Sequence, residues 1–198
     1  MGGRSFVFSL SLVALTLSAC GKLNPPTQTT DLSGTWQSCA NLTQSSARVT
    51  LAFVNGMLTA TSESFPGNSV CSGIPNQIGV VTASYANGAM SSQSQWAVNL
   101  TLQSSFRSYG TEAAASLANS NRDCGIQNWR VGVQQSIDHR ACASSAGVST
   151  VPGAFVAMAY TVSGNVLDTD YPVYWDGLFR QPGTVQSTLV GVYPFYRK

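Results

Sequence analysis

The only histidine of the chain, His139, lies between Asp138 and Arg140. A histidine beside a carboxylate could act as the general base of a Ser-His-Asp hydrolase. However, the chain has no G-x-S-x-G motif to present a nucleophilic serine, and its many serines would bring one near any histidine by chance. We therefore interpret His139 as an exposed loop residue, and we expect no catalytic residue and no enzymatic activity.

Three carboxylates lie close together in the sequence, at Asp168, Asp170 and Asp176. A pair of carboxylates could act as general acid and base on a glycosidic bond. Alternation along a strand followed by a turn would also place acids at these positions, and we expect the three side chains to be solvated. The sequence has neither a phosphate-binding glycine loop nor a dinucleotide-binding motif, so we expect no cofactor.

Residues 1–19 have the organisation of a bacterial signal peptide. Arg4 supplies a positive charge, and residues 6–17 form an apolar run that is too short to cross a bilayer as a helix. The run ends in Leu-Ser-Ala-Cys20, which resembles the lipobox of bacterial lipoproteins. The resemblance implies that Cys20 becomes an acylated N-terminus that anchors the protein to the membrane. Gly21 follows where an inner-membrane retention signal would have aspartate, so we expect the outer membrane.

Four further cysteines lie in the body of the chain, at Cys39, Cys71, Cys124 and Cys142. An even number of cysteines in an exported chain indicates two disulfides, for which three pairings are possible. The sequential pairing, Cys39 with Cys71 and Cys124 with Cys142, closes short loops and is favoured. A metal site that combines His139 with Cys142 is not expected, because the chain contains no C-x-x-C pair.

The composition excludes two broad classes of protein. Of the 198 residues, 43% are hydrophobic and only 9% are charged, where about 25% is usual. A chain of this kind can build a core, so it is not intrinsically disordered. Its net charge of +2 provides no basic footprint for nucleic acid, and we expect no nucleic-acid partner.

Short β-type segments separated by turn residues dominate the body of the chain. Asn55-Gly56, Asn87-Gly88 and Gly164-Asn165 each predict a tight hairpin turn. The predicted strands cover residues 32–39, 48–54, 57–62, 78–85, 96–102, 126–134, 154–162, 166–167, 173–179 and 188–196. One stretch, residues 111–118, instead has a capping threonine and strong helix formers, and it predicts a helix of about two turns.

These elements predict an all-β fold with one short helix. The spacing of the strands fits an antiparallel up-and-down barrel or, alternatively, a small β-sandwich. After the signal peptide, residues 20–30 contain two prolines and almost nothing to bury, and they are interpreted as the lipidated cysteine and its tether. Residues 31–198 are expected to form a single domain.

Two motifs resemble those of the lipocalins and their bacterial lipoprotein relatives. Gly34-Thr-Trp36 is similar to the G-x-W of the first lipocalin strand, and Thr169-Asp-Tyr-Pro-Val-Tyr174 is similar to the later T-D-Y-x-x-Y. The resemblance implies a barrel in which Trp36 crosses the closed end and an arginine from a late strand, Arg197 or Arg180, covers the indole. Cys39 departs from the common lipocalin disulfide position and looks more like small exported β-domains with G-T-W-x-x-C.

The last strands are rich in aromatic residues, which raises the question of a ligand. If these strands line an open barrel, aromatic side chains would form an apolar pocket, whereas in a small barrel they would fill the core. The candidate ligand-binding residues are Trp36, Tyr171, Tyr174, Trp175 and Tyr193. The leading functional hypothesis is a non-enzymatic, lipid-anchored envelope protein that binds a small hydrophobic molecule. The alternative is a surface or periplasmic module that contacts an unknown protein or glycan.

Overall fold

The structure is a computed structural model that describes residues 30–42, 44–90, 95–142, 150–169 and 194–198. Most of the described residues are in strands, and there is one α-helix. The strands are β1 (Gly34–Leu42), β2 (Ser45–Val54), β3 (Met57–Pro66), β4 (Gln77–Met90), β5 (Trp96–Tyr109), β6 (Gln135–Ser136), β7 (Phe155–Ser163), β8 (Val166–Thr169) and β9 (Phe195–Arg197). The helix α1 (Glu112–Ser120) is followed by a 3₁₀ turn over Asp123–Gly125. No helix in the described part of the chain is both long and apolar enough to span a membrane.

Eight of the strands form a closed antiparallel β-barrel. In the ring, each of the strands β1 to β4 pairs with the next strand along the chain. β5 then pairs with β7, β7 pairs with β8, and β8 pairs with β9. The ring closes because β9 pairs with β1, where Trp36 lies opposite Arg197. Among the described strands, β5 is the one neighbour of the two-residue strand β6. The predicted all-β fold is therefore confirmed, and it is the barrel rather than the sandwich.

Turn chemistry sets the register of two of the three predicted hairpins. Asn55 and Gly56 both have positive φ, 51° and 75°, as the type I′ turn between β2 and β3 requires. Gly164 and Asn165 form the turn between β7 and β8. The third prediction was wrong, because Asn87 and Gly88 lie inside β4 and the strand continues to Met90. The pairing of β4 with β5 shifts register between Asn87 and Met90, so this dipeptide is accommodated as an irregularity within the ladder.

The two ends of the barrel differ, and we name them by what covers them. The hairpin end carries the β2–β3 and β7–β8 turns, the end of β4 and the start of β5, together with the start of β1. The helix end carries the β1–β2 and β3–β4 connections and the end of β5, from which α1 continues.

The hairpin end is filled and closed. Trp36 is fully buried, its indole N–H donates to the Leu32 carbonyl at 2.8 Å, and the guanidinium carbon of Arg197 lies 4.5 Å from the ring centroid. The Tyr160 hydroxyl donates to the Thr30 carbonyl at 2.9 Å. The segment that precedes β1 therefore crosses this end of the barrel, with Leu32 packed into the core.

The helix forms where the sequence predicts it. The Thr111 hydroxyl accepts a hydrogen bond from the Ala114 N–H, which caps the first turn, and Glu112 adds a favourable charge there. The predicted strand over 126–134 was wrong. Ile126 and Trp129 instead pack with α1 in a second hydrophobic cluster. The Asn119 side chain forms hydrogen bonds with both the N–H and the carbonyl of Trp129, the backbone groups that a neighbouring strand would otherwise pair with.

Both predicted disulfides are confirmed. Cys39 is bonded to Cys71, which pins the β3–β4 connection to the outside of β1, and Cys124 is bonded to Cys142 within the second cluster. Each such bond is expected to stabilise the fold by roughly 3 kcal/mol in the loop-entropy model. Since disulfides persist in oxidising compartments, the two bonds identify an exported, envelope-type protein. Cys142 is thereby unable to serve as a thiolate metal ligand.

Candidate functional site

The side chains that face the barrel interior change in size from one end to the other. Toward the hairpin end they are large and apolar, with Trp36, Phe53 and Tyr160 among the most buried. Toward the helix end several interior positions are small, although Val49 and Arg107 lie opposite some of them. The small residues are Ser38, Ala40, Ala47, Ser62, Gly79 and Ser105. A barrel with such a gradient is filled at one end and has room at the other.

A cavity of about 330 Å³ lies at the helix end, between α1 and the ends of β3, β4 and β5. Its apolar wall comes from the helix and the end of β3, and its polar wall from the strand ends and the 3₁₀ turn. The lining residues are Ser64, Pro66, Asn76, Gln77, Tyr109, Ala114, Leu117, Ala118, Asn121 and Asp123. Ser64, Gln77 and Tyr109 are cross-strand partners in one row, so their side chains lie on the same face of the sheet.

A buried charge pair lies behind the polar wall. Nη1 of Arg107 donates to Oδ2 of Asp123 at 2.6 Å, and both residues are more than nine-tenths buried. The Tyr109 hydroxyl donates to the same carboxylate oxygen. The Asp123 carboxylate, which lines the cavity, is therefore already paired with the charge of Arg107 and hydrogen-bonded to the Tyr109 hydroxyl.

The backbone around Asp123 holds this carboxylate in place. Arg122 and Cys124 on either side have positive φ, 50° and 53°, and the Cys124–Cys142 disulfide ties the turn to the segment that follows β6. The Trp129 indole donates to the Asp123 carbonyl at 3.3 Å and packs edge-on against Tyr109. The disulfide and Trp129 thus position Asp123 against β5.

The pKa of Tyr109 is raised, first because burial disfavours the phenolate and second because the hydroxyl donates to the ionised Asp123. A raised pKa means that the folded state holds this proton more tightly than the unfolded state. The contribution to stability is therefore complete below the ordinary tyrosine pKa of about 10 and is lost as the pH rises above it.

We expect Tyr109→Phe to flatten the alkaline part of the stability profile. The free energy of unfolding of the unaltered protein should fall as the pH rises past about 10, and the variant should lose less over the same interval. Urea titrations at a series of alkaline pH values measure this. Burial raises the pKa of Tyr160 too, so Tyr160→Phe removes a tyrosine of the same kind from the other end of the barrel and serves for comparison. A Tyr109→Phe profile as steep as that of the parent would contradict the assignment.

Uncharged polar groups complete the wall of the cavity. The side-chain amides of Gln77 and Asn121 make no hydrogen bond to any described residue. The side-chain oxygen of Asn76 accepts a long bond, 3.5 Å, from the Thr111 hydroxyl. These amides can both donate and accept, so they can pair with a polar group on a bound molecule.

The structure brings together only some of the residues singled out in the sequence. Trp36 and Arg197 are in contact, but they lie at the hairpin end, opposite the cavity. His139 is exposed, and the neighbouring Asp138 accepts a hydrogen bond from the Ser105 backbone N–H at 2.6 Å. Asp168 is exposed on β8. The remaining candidates, Cys20, Tyr171, Tyr174, Trp175, Tyr193, Asp170, Asp176 and Arg180, lie outside the described residues.

Sequence reasoning did not find the residues that build the cavity. Arg107 and Asp123 are 16 positions apart, and neither belongs to a recognisable motif. One signal was present: a strand as apolar and hydroxyl-rich as β5 contains a single charged residue, Arg107, in a chain that is only 9% charged. A buried arginine requires a carboxylate partner, and Asp123 beside a disulfide cysteine was a candidate.

No protein-family model matches the chain, and no curated protein is significantly similar to it in sequence. Functional assignment therefore rests on the barrel, the two disulfides and the cavity.

Proposed function

We propose that this protein is an exported, lipid-anchored β-barrel, similar in design to the lipocalins, that binds a small, uncharged, largely apolar molecule in the helix-end cavity. The cavity itself supports this proposal. Its wall combines an apolar strip from α1 with the side-chain amides of Gln77 and Asn121, which make no hydrogen bond to the residues that the structure describes. Ligand sites are typically apolar clefts with a few convergent polar groups.

The charges of the lining favour a neutral ligand. Among the described residues, the lining contains one carboxylate, Asp123, and no lysine, arginine or histidine. The carboxylate of a fatty acid would therefore meet no cation on the wall and would lie near a like charge, which disfavours its ionised form. A cationic ligand would have to compete with Arg107 for Asp123. A neutral molecule with one hydrogen-bonding group has neither difficulty.

The volume of the cavity restricts the size of the ligand. At about 330 Å³ the cavity is near the lower limit of ligand pockets, which span roughly 300–1,000 Å³. Beneath it, Leu51, Phe53 and Leu100 fill the barrel. The ligand is accordingly compact and occupies the mouth, and a long acyl chain is disfavoured.

The binding proposal is tested by native mass spectrometry of the mature protein, purified gently under oxidising conditions. We expect a non-covalent adduct of a few hundred daltons that is lost on denaturation, as a cavity of this size would hold. Ala114→Phe should abolish the adduct, because Ala114 lines the cavity and a phenyl ring would fill it. Ala113→Phe is the matched control, since Ala113 is exposed on α1 and outside the lining.

An adduct that persists in Ala114→Phe would place the ligand elsewhere. A parent protein without an adduct, confirmed by a lack of shift in thermal stability with extracted envelope lipids and small metabolites, would refute ligand binding. It would favour the contact module for a protein or glycan.

The anchor is a separate part of the proposal and has its own test. Cys20→Ser removes the thiol that the lipobox resemblance implies is acylated. We expect the variant to move from the membrane fraction to the soluble fraction, because stable anchoring requires more than one acyl chain. Ser18→Thr, a conservative change in the same motif, is the control for export. A Cys20→Ser variant that remained in the membrane fraction would contradict the lipid anchor.

A further inference from the structure

The hairpin end of the barrel presents apolar side chains to solvent. Val54 and Met57 flank the Asn-Gly turn between β2 and β3 and are 56% and 40% exposed. Met90, where β4 approaches the β4–β5 connection, is 56% exposed. Single exposed apolar residues are ordinary, but residues beside a hairpin turn are usually polar, whereas Val54 and Met57 on either side of this turn are both apolar.

The chain also reaches the described structure at this end. Thr30 is held there by the Tyr160 hydroxyl, and Leu32 and Trp36 close the barrel behind it. Cys20, the predicted site of acylation, is therefore joined to the barrel at the same end as the exposed tips.

We propose that the hairpin end is a membrane-contact surface, formed by Val54, Met57 and Met90, that rests on the phospholipid bilayer to which Cys20 is anchored. This inference rests on the lipid anchor of the proposed function. It implies that the cavity at the helix end faces away from that bilayer.

Length decides between the two ends, because the helix end also has exposed apolar residues, Val70, Ile74 and Leu117. Ten residues link Cys20 to Thr30, which corresponds to about 17 Å for a flexible chain and about 31 Å for extended polyproline. The 14 residues of β5, tilted as in other small barrels, give a height of about 35 Å. Only a fully extended tether would bring the helix end of an upright barrel to the bilayer, whereas the residues beside the β2–β3 turn lie within reach of a flexible one.

The test places a tryptophan at each end of the mature lipidated protein, reconstituted in phosphatidylcholine vesicles with brominated acyl chains. The variants are Met57→Trp and Met90→Trp at the hairpin end and Leu117→Trp at the helix end, and the emission of the parent is subtracted from each. We expect bromine to quench the added emission of Met57→Trp and Met90→Trp and to leave that of Leu117→Trp unchanged.

The other outcomes overturn the proposal and show why. Quenching of Leu117→Trp alone would mean that the helix end faces the bilayer. Three unquenched variants, in a protein whose intact mass shows acylated Cys20, would leave the anchor in place and refute the contact surface. A mass that shows unmodified Cys20, with no vesicle binding, would refute the anchor as well. A blue shift of Met57→Trp that grows with protein concentration in the absence of vesicles would make a second copy of the chain the occupant.

Discussion

Replacement of Asp123 by alanine should lower the free energy of unfolding by about 3–5 kcal/mol, because it leaves the buried Arg107 guanidinium without its carboxylate. The substitution also removes the acceptor of the Tyr109 hydroxyl, so the polar wall of the cavity should loosen. Urea denaturation at neutral pH measures the loss. If the protein is too unstable to purify, Asp123→Asn retains an acceptor and provides a milder form of the same change.

Two variants distinguish the effect of breaking the Arg107–Asp123 pair from the effect of removing an acidic residue in general. Asp168→Ala removes an exposed carboxylate from β8 and should change the free energy of unfolding by no more than about 0.5 kcal/mol. The double substitution Arg107→Met, Asp123→Leu replaces the pair by apolar side chains and should recover much of the loss, since such replacements are often neutral or stabilising. An Asp123→Ala protein as stable as Asp168→Ala would show that the pair contributes nothing to the fold.

Replacement of Trp36 by alanine should cost about 3–5 kcal/mol, the range for a buried aromatic side chain in a packed core. The loss has three sources: the cavity that the indole leaves, the hydrogen bond to the Leu32 carbonyl and the contact with Arg197. Without the indole, the segment that crosses the hairpin end loses its main support. We expect faster proteolysis before β1 in addition to the lower midpoint of denaturation.

Arg197→Met is the matched variant for this end of the barrel. It retains an apolar stem over the indole and removes the charge, so it should cost about 0.5–2 kcal/mol, the range of cation–π interactions. Trp36→Phe should lie between the two variants. A Trp36→Ala protein within 1 kcal/mol of the parent, a small effect for a single substitution, would mean that Trp36 does not support the closure of the barrel.

Local signals in the sequence predicted much of the barrel. Asn55 and Gly56 accept positive φ at low cost, so the β2–β3 turn and the register of the strands beside it follow from two residues. Thr111 predicted the start of α1 because a hydroxyl at that position satisfies a free backbone N–H. The disulfide pairs could be favoured because short loops close at low entropic cost.

The errors occurred where distant contacts outweigh local preference. Asn87 and Gly88 form a good turn by themselves, yet the pairing of β4 with β5 extends past them and accommodates them as an irregularity. Residues 126–134 have the composition of a strand, but Ile126 and Trp129 instead pack with the helix residues Ala115 and Ala118 in the second hydrophobic cluster. Propensity is a weak determinant when a non-local apolar cluster competes with it.

Local signals were enough to predict an all-β chain with one capped helix and to favour the sequential pairing of the four cysteines, because turns, caps and short covalent loops depend on residues near one another. The choice between a barrel and a sandwich depends on distant contacts, because closure requires β9 to meet β1. The position of the candidate binding cavity depends on distant contacts too. Arg107, Asp123 and Gln77 come from separate segments, and their shared wall exists only once closure and the Cys124–Cys142 bond have brought the ends of the strands and the helix together.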